Sequence, residues 1–152
     1  MVDELPQERC WAELAASSVG HLALVSEGEP YVTPVSFVAK VPTISFRTGA
    51  GRRLSALRSG NRVCFEACTE DQDSKAWTSV VAWGTPRRSI LPDERSEVID
   101  ELYLKYHSQR EDPFRAPAPS ILEPEVVIID VDYITGRSSG LGLGARLRPG
   151  RL

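Results

Sequence analysis

Short alternating runs of apolar and polar residues dominate the chain and predict β-strands. Ile44 and Phe46, for example, alternate with the polar Ser45, so one face of that run is apolar. By the same criterion, strands are expected at residues 19–25, 31–38, 43–47, 61–67, 77–87 and 125–133. A turn sequence at residues 28–30 joins the first two strands into a hairpin. Pro34 lies inside the second strand, where a proline favours the edge of a sheet.

Three segments have the spacing of apolar residues that is typical of amphipathic helices. A short helix is expected at residues 7–17, directly after Pro6, and a second one at residues 52–59. The longest helix opens at Pro92 and runs for about four turns. Its apolar side is formed by Val98, Leu102 and Tyr106.

The order of these elements is helix, three strands, short helix, two strands, long helix and strand. Six short strands with early hairpin connections predict a mainly β fold of the α+β class, an antiparallel barrel with helices packed on its openings. An open α+β sheet is the alternative that the pattern alone allows. The 152 residues fit one domain, placed at residues 1–137, followed by a Gly- and Arg-rich tail at residues 138–152.

Composition narrows the classes of protein that the chain can belong to. Hydrophobic residues make up 41% and charged residues 26%, which is ordinary for a folded chain and argues against disorder. The net charge of −3 gives no electrostatic footprint for nucleic acid or for an anionic membrane, so neither partner is expected. The N-terminal segment lacks the apolar centre of a signal peptide, and no stretch approaches the length of a membrane span. The expected location is therefore the cytoplasm.

The cysteines predict neither a disulfide framework nor a metal site. Cys10, Cys64 and Cys68 are too few and odd in number for such a framework. The spacing of Cys64 and Cys68 puts both on one face of a strand but well apart along it. The histidines, His21 and His107, are distant from them in sequence. We therefore interpret the cysteines as buried apolar residues or free thiols.

The strongest chemical signal is the run FRTGAGRRL at residues 46–54. A strand ends there, two glycines loosen the backbone, and Arg52 and Arg53 open a helix. The amides at a helix N-terminus and the guanidinium groups both favour an anion, and Thr48 can add a hydroxyl donor. This arrangement predicts a phosphate site, and a solvated basic turn is the alternative interpretation.

Two other segments could contribute to a ligand site. The strand at residues 30–37 combines prolines with small hydroxyl residues, so it can present bare backbone groups to a flat ligand. On the long strand, Trp77 and Ser79 share one face and could form the wall of a pocket. Taken alone, the first segment is better explained as an edge strand with a bulge. The second is better explained by core packing or by a subunit contact.

These segments, in this order along residues 8–88, resemble the pyridoxamine 5′-phosphate oxidase-like family of FMN-binding split barrels. The run FRTGAGRRL is the most specific part of the resemblance, and VGHLALVSEGEPYVTPVSF, VCFEA and WTSVVAWGT carry the rest. The resemblance implies a six-stranded antiparallel split β-barrel with flanking helices. It also implies a homodimer, with FMN bound between the two subunits.

The resemblance further implies roles for individual residues. Arg52 and Arg53 would hold the FMN phosphate with help from Thr48, and residues 33–36 would face the isoalloxazine ring. The full set of implied cofactor contacts is Thr33, Pro34, Val35, Ser36, Arg47, Thr48, Arg52, Arg53, Leu54, Trp77 and Ser79. No catalytic residue is implied, because the flavin carries the redox chemistry while the protein supplies orientation and excludes water.

The C-terminal region departs from the pattern of true pyridoxamine 5′-phosphate oxidases. Those enzymes are longer and carry an Arg- and His-containing substrate motif near the C-terminus. The sequence ITGRSS at residues 134–139 does not match that motif. We therefore expect a short member of the superfamily, an FMN-dependent oxidoreductase with a nicotinamide or another small redox substrate. One alternative is a reductase that uses the deazaflavin coenzyme F420, for which Arg47 would extend the basic groove. Another is a non-catalytic flavin- or haem-binding protein.

Overall fold

The computed structural model describes residues 1–107 and 124–139. No helix in these two ranges is long and apolar enough to cross a membrane. In chain order the elements are β1 (Val2–Glu4), α1 (Gln7–Ala16), β2 (Gly20–Ser26), β3 (Glu29–Val35), β4 (Phe37–Lys40), β5 (Thr43–Thr48), α2 (Arg52–Leu57), β6 (Val63–Glu70), β7 (Trp77–Arg88), α3 (Pro92–His107) and β8 (Glu125–Ser139).

The strands of the described residues form one antiparallel sheet. Its order is β3-β2-β6-β7-β8-β5-β4, and β1 pairs with the C-terminal end of β8. The chain passes from β3 to β4 through Ser36 alone, yet these two strands lie at opposite ends of the order. The sheet therefore curls round and stays open along the seam between β3 and β4, which we call the split. This arrangement confirms the predicted antiparallel split-barrel class, with β3 as an edge strand.

The described residues contain eight strands where six were expected. The strand predicted at residues 31–38 is interrupted at Ser36 and forms both β3 and β4, because the chain must leave one edge of the sheet and join the other there. β1 was not predicted, because three residues are too short to show an alternating pattern.

The last strand is longer than the sequence predicts. We expected it at residues 125–133, but β8 runs to Ser139 and pairs there with β7 and β1. Gly136 lies against α1 so closely that a Cβ atom would stand 2.7 Å from Cys10 Sγ. Glycine has little strand propensity, so tertiary partners hold this end of the strand. It includes the first two residues of the predicted tail, and residues 140–152 lie outside the described ranges.

The main core lies inside the curled sheet and follows the predicted period of two. On β2, Leu22 and Leu24 are buried, whereas His21 and Val25 face outward. α1 covers part of this core through Cys10. The largest fully buried side chains are Phe37, Phe46, Phe65, Leu14, Leu22, Ile44, Ile129, Val80, Val126, Val127 and Cys10. The alternating pattern therefore identifies the inward face of the barrel.

A second, smaller core lies between the sheet and α3. Four consecutive residues in β8 are all buried, so the strand does not alternate there. Val127 and Ile129 belong to the main core, while Val126 and Ile128 pack with Val98 of α3. Burial on both faces explains the continuous apolar run. The apolar side predicted for the long helix is therefore the side that packs on the barrel.

All three cysteines are free. Cys10 is buried, Cys64 is partly buried and Cys68 is exposed. Burial raises the pKa of the Cys10 thiol, which keeps it protonated. No group of three or more His, Cys, Asp or Glu side chains that could hold a metal ion occurs in residues 1–107 and 124–139.

Candidate cofactor site

Arg53 joins three segments that the sequence predicted as parts of one site. Its Nε donates a hydrogen bond to Thr48 Oγ1 at the end of β5, over 3.0 Å. Its Nη1 donates to the carbonyl oxygen of Pro34 on β3, over 3.2 Å. The guanidinium group therefore lies beside the split, where the end of β5 and the edge of β3 come together.

Arg52 lies on the neighbouring side of the same helix end. Its Nε donates to Ser26 Oγ over 3.0 Å, and its guanidinium carbon lies 4.7 Å from the centre of the Tyr31 ring. Stacking on an aromatic ring and a bond to a hydroxyl both orient the group without neutralising its charge. Arg52 and Arg53 thus form a fixed pair of cations.

The arginine pair differs from other arginines of the protein in its partners. Arg62 pairs with Asp132, and Arg87 pairs with Glu94 at 2.9 Å. Within the described ranges, neither Arg52 nor Arg53 has a carboxylate within ion-pair distance, and their partners are hydroxyl, carbonyl and aromatic groups. An anionic ligand is the natural complement of two such charges.

Burial of Arg53 strengthens the preference of this side chain for an anionic ligand. The group is partly buried, and this burial lowers the pKa of Arg53, although Tyr31 opposes the effect. A guanidinium that has lost part of its hydration without gaining a counterion is destabilised relative to one paired with an anion. α2 has only six residues, so the helix dipole that we expected to assist is a minor contribution.

The turn before α2 depends on one of its two glycines. Gly51 has φ 152°, a backbone conformation that is essentially confined to glycine. Gly49 shows no such requirement, and a Cβ atom there would meet nothing within 4 Å. The loosened backbone that we expected from both glycines is therefore needed only at Gly51, directly before Arg52.

The remaining predicted residues lie on different surfaces. On β3, Thr33 is partly buried, Pro34 and Ser36 are exposed, and Val35 is buried. Leu54 is also buried, as part of the side of α2 that faces the barrel. Val35 and Leu54 are thus placed to support the site from beneath.

Arg47, Trp77 and Ser79 stand apart from the arginine pair. Arg47 is exposed and, by the alternation of β5, lies on the opposite face from Thr48. Trp77 and Ser79 are partly buried on the side of β7 that faces away from the core. Ser79 Oγ donates to Glu66 Oε1 of the adjacent strand, over 3.2 Å.

A hydrogen-bonded pair next to Ser79 was not predicted. His21 Nδ1 lies 3.1 Å from Glu66 Oε2, and the carboxylate accepts the hydrogen bond. His21 and Glu66 are opposite each other across β2 and β6. The alternation around His21 could have indicated that it faces outward. Its partner is 45 residues away in the chain, so only the strand pairing reveals it.

A second unpredicted cluster holds the β4 side of the split. The N–H group of Phe37 donates to the Tyr106 hydroxyl over 2.8 Å, and Lys105 Nζ donates to the Phe37 carbonyl over 2.9 Å. The Tyr106 hydroxyl lies 2.9 Å from the carbonyl oxygen of Ser18, to which it can donate. The end of α3 therefore fixes the first residue of β4.

Lys105→Met is expected to change how the stability of the protein depends on pH. Burial lowers the pKa of Lys105 to about 8, from an ordinary value of 10.5. Between these two values the unfolded chain binds more protons, so the free energy of unfolding of the wild type rises with pH relative to the variant. Below the pKa of Lys105 in the folded protein, burial of the charged amine lowers the free energy of unfolding by its full amount.

The measurement is urea unfolding of both proteins from about pH 7 to pH 10, spanning the range over which lysine loses its proton. Lys75→Met is the matched control, since the Lys75 side chain is 68% exposed. If the free energies of unfolding of the wild type and Lys105→Met differ by a constant amount over this pH range, the effect of burial on the pKa of Lys105 is contradicted.

Comparison with known families supports the sequence resemblance. A family model described as pyridoxamine 5′-phosphate oxidase matches residues 6–138. The chain belongs to this family. The match includes the arginine pair, the edge strand β3 and all of β7, and it extends well beyond residues 8–88, to which the resemblance was assigned.

Several solved structures share the fold of this pyridoxamine 5′-phosphate oxidase family member. A FAD-binding protein from Mesorhizobium loti has a TM-score of 0.72 and 23% identity, covering 92% of this chain and 99% of that chain. The FAD binding protein from Mycobacterium smegmatis has a TM-score of 0.69 and 24% identity, covering 92% and 100%. A FAD and heme binding protein from the same organism has a TM-score of 0.68 and 14% identity, covering 90% and 73%. No curated protein matches the sequence.

Proposed function

We propose that this protein binds FMN through Arg52 and Arg53 and acts as a flavin-dependent oxidoreductase. The observation that carries the proposal is that the guanidinium groups of Arg52 and Arg53, consecutive in the chain, have no carboxylate partner among the described residues. A phosphate monoester supplies the missing negative charge, and arginine matches its oxygens with paired donors. Each charge-assisted hydrogen bond contributes about 1.5–3 kcal/mol.

The edge of β3 is suited to the flat ring of such a cofactor. β3 pairs with β2 on one side only, and Arg53 reaches the Pro34 carbonyl at its other side. A phosphate held by Arg53 therefore places the rest of the ligand along residues 33–36. Pro34 has no N–H group, so this edge offers carbonyl acceptors and small side chains rather than a strand-pairing ladder.

A second copy of the chain is proposed to cover this region as the partner in a homodimer. Val25 and Val32 lie on the outward side of the β2–β3 hairpin and are 62% and 64% exposed. Tyr133, on the outward side of β8, is 57% exposed. Apolar side chains exposed over several strands of one sheet favour burial against another protein surface.

The names of similar structures support a flavin, but the form that they print is FAD rather than FMN. The proteins from Mesorhizobium loti and Mycobacterium smegmatis are called FAD-binding, and one of them also binds haem. FMN and FAD share the isoalloxazine ring and the phosphate nearest to it, so the arginine pair suits either. We propose FMN because, of the predicted basic residues, only Arg52 and Arg53 are held at the site by neighbouring groups, and the one phosphate of FMN can pair with them. Arg47, the candidate for a more extended basic groove, faces away from that pair.

The flavin, when bound, supplies the transfer of electrons to or from a small redox substrate such as a nicotinamide. The residues of the chain would bind the phosphate, position the ring along β3 and limit access of water to it. True pyridoxamine 5′-phosphate oxidase activity is not proposed, since residues 134–139 do not match the substrate motif. The cytoplasmic location stays a prediction from the sequence.

Cofactor binding is tested by titrating the full chain with FMN, FAD, coenzyme F420 and haem, and by mass spectrometry of any ligand released from the purified protein. We expect one FMN per chain and a particle of twice the 16.8 kDa chain mass by light scattering. Enzymatic reduction of the bound FMN by a nicotinamide then separates an oxidoreductase from a storage protein. Preference for F420 or haem, or a monomer that binds no flavin, would overturn the proposal.

A further inference from the structure

A row of three polar side chains crosses the outward side of the sheet next to the proposed flavin site. Ser79 on β7 donates to one oxygen of Glu66 on β6, over 3.2 Å. The other oxygen of Glu66 lies 3.1 Å from Nδ1 of His21 on β2. We call these residues the His21–Glu66–Ser79 row. Both oxygens of the carboxylate are used, so its position is fixed from two strands.

The row leaves one nitrogen of His21 available to a ligand. The carboxylate accepts the proton of Nδ1, which makes Nε2 the free nitrogen of the ring. Within residues 1–107 and 124–139, Nε2 has no hydrogen-bond partner. A carboxylate that orients a histidine through Nδ1 and leaves Nε2 directed at a ligand is a common arrangement in functional sites.

The strand register places His21 beside the segment proposed to carry the ring. His21 is directly opposite Pro34 in the pairing of β2 with β3. Because Pro34 has no N–H group and gives its carbonyl to Arg53, the two residues form a pair without backbone hydrogen bonds. In such pairs the Cα atoms lie about 4.5 Å apart and the side chains are close neighbours. His21 and Arg53 thus approach Pro34 from its two sides.

The surroundings of His21 on this side of the sheet are mostly apolar. Ala23 and Val32 face outward on β2 and β3, and Val81 does so on β7. An apolar floor with a few polar groups at one point is the usual composition of a small-molecule site. The row supplies those polar groups, and it connects the predicted ligand segments on β3 and β7.

We propose that His21 contacts the flavin ring system through Nε2, and that Glu66 and Ser79 are positioning residues for its imidazole. The inference rests on the proposed function and adds to it a ring contact. In the neutral tautomer that Glu66 favours, Nε2 accepts a hydrogen bond from an N–H group of the ring. The arginine pair would then recognise the phosphate, and the His21–Glu66–Ser79 row would recognise the ring.

Riboflavin, which carries the ring without the phosphate, separates these two contacts. His21→Gln is expected to weaken FMN and riboflavin binding by the same factor of about ten, the equivalent of one lost hydrogen bond. Glu66→Gln should weaken both ligands less. Variants of Arg52 and Arg53 should weaken FMN alone. His107→Gln is the matched control, since His107 stacks on Tyr103 at the exposed end of α3.

Nitrogen NMR of the histidine rings tests the positioning role directly. In the wild type, the Nε2 signal of His21 should shift on addition of either ligand, whereas the His107 signals should not. In Glu66→Gln without ligand, the fraction of His21 with its proton on Nδ1 should fall. The oligomeric state is followed by light scattering, so that shifts caused by association are recognised.

The outcomes distinguish this inference from the proposed function. If the wild type binds FMN and the arginine variants weaken it, but His21→Gln binds normally and the Nε2 signal does not move, His21 is no ring contact. If the wild type binds neither FMN nor riboflavin, the proposed function fails first and this inference fails with it. If His21→Gln does not fold, the wild type provides the test: an Nε2 signal of His21 that does not shift on addition of ligand would overturn the inference.

Discussion

Replacement of both Arg52 and Arg53 by alanine is expected to weaken FMN binding by about 3–6 kcal/mol, a factor of roughly 150 to 20,000, since each charge-assisted bond contributes about 1.5–3 kcal/mol. The larger part should come from Arg53, which is partly buried and already oriented by Thr48 and Pro34. Arg52 stacks on Tyr31 and is exposed, so solvent screens its charge more strongly. Fluorescence titration of each variant with FMN measures the effect.

A second double variant, Arg9→Ala with Arg58→Ala, also removes two positive charges, but from residues that already have carboxylate partners and that the proposed site does not use. Both residues are exposed and pair with carboxylates, Arg9 with Glu13 and Arg58 with Glu125. It should bind FMN nearly as the wild type does. If Arg52→Ala with Arg53→Ala binds FMN as tightly as this control, the phosphate assignment is wrong. Equal losses for riboflavin and FMN would contradict it too, because riboflavin has no phosphate.

The local part of the candidate site could be predicted from the sequence because its residues are close along the chain. Thr48 and Arg53 are five residues apart, and a strand end followed by a glycine and a helix brings such residues together in one predictable way. Pro34, which is 19 residues from Arg53, became part of the prediction only through the family resemblance. Its bond to Arg53 depends on how the sheet curls, and no short motif encodes that curl.

The parts that the sequence did not predict depend on strand register. His21 and Glu66 meet because β2 and β6 pair with these two residues opposite each other, and a shift of one residue would put them on different faces. Residues 136–139 form a strand although their local preference is for a loop, because β1 and β7 pair with them. Periodicity gives the face on which a residue lies, but not its neighbour on the adjacent strand.

Phe37→Ala is expected to destabilise the protein by at least about 3–5 kcal/mol, the range found when a buried phenylalanine is removed. Phe37 is fully buried, and its ring packs edge-on against Phe65 with 4.7 Å between ring centres. An aromatic pair of this kind adds about 0.5–1.5 kcal/mol beyond the burial of area. Lys105 Nζ lies 4.0 Å from the centre of the same ring, so the variant also loses that contact.

Because Phe37 lies at the split, its replacement affects the edge of the sheet there as well as leaving a cavity in the core. It is the first residue of β4, and its backbone N–H and carbonyl are held by Tyr106 and Lys105 of α3. The side chain anchors the chain just after it crosses from β3, so its removal weakens the edge that carries the proposed ring site as well as the core.

Urea unfolding at one fixed protein concentration measures the loss, since the stability of the proposed dimer would depend on concentration. Leu104→Ala is the control, because Leu104 is 73% exposed on α3 and lies outside the proposed dimer surface and ring site; it should change the free energy of unfolding by no more than about 0.5 kcal/mol. A loss for Phe37→Ala below about 1 kcal/mol would mean that the core collapses around the deleted ring. The crossing from β3 to β4 would then not depend on the buried Phe37 ring. The hydrogen bonds from α3 to the Phe37 backbone would be enough to hold the split.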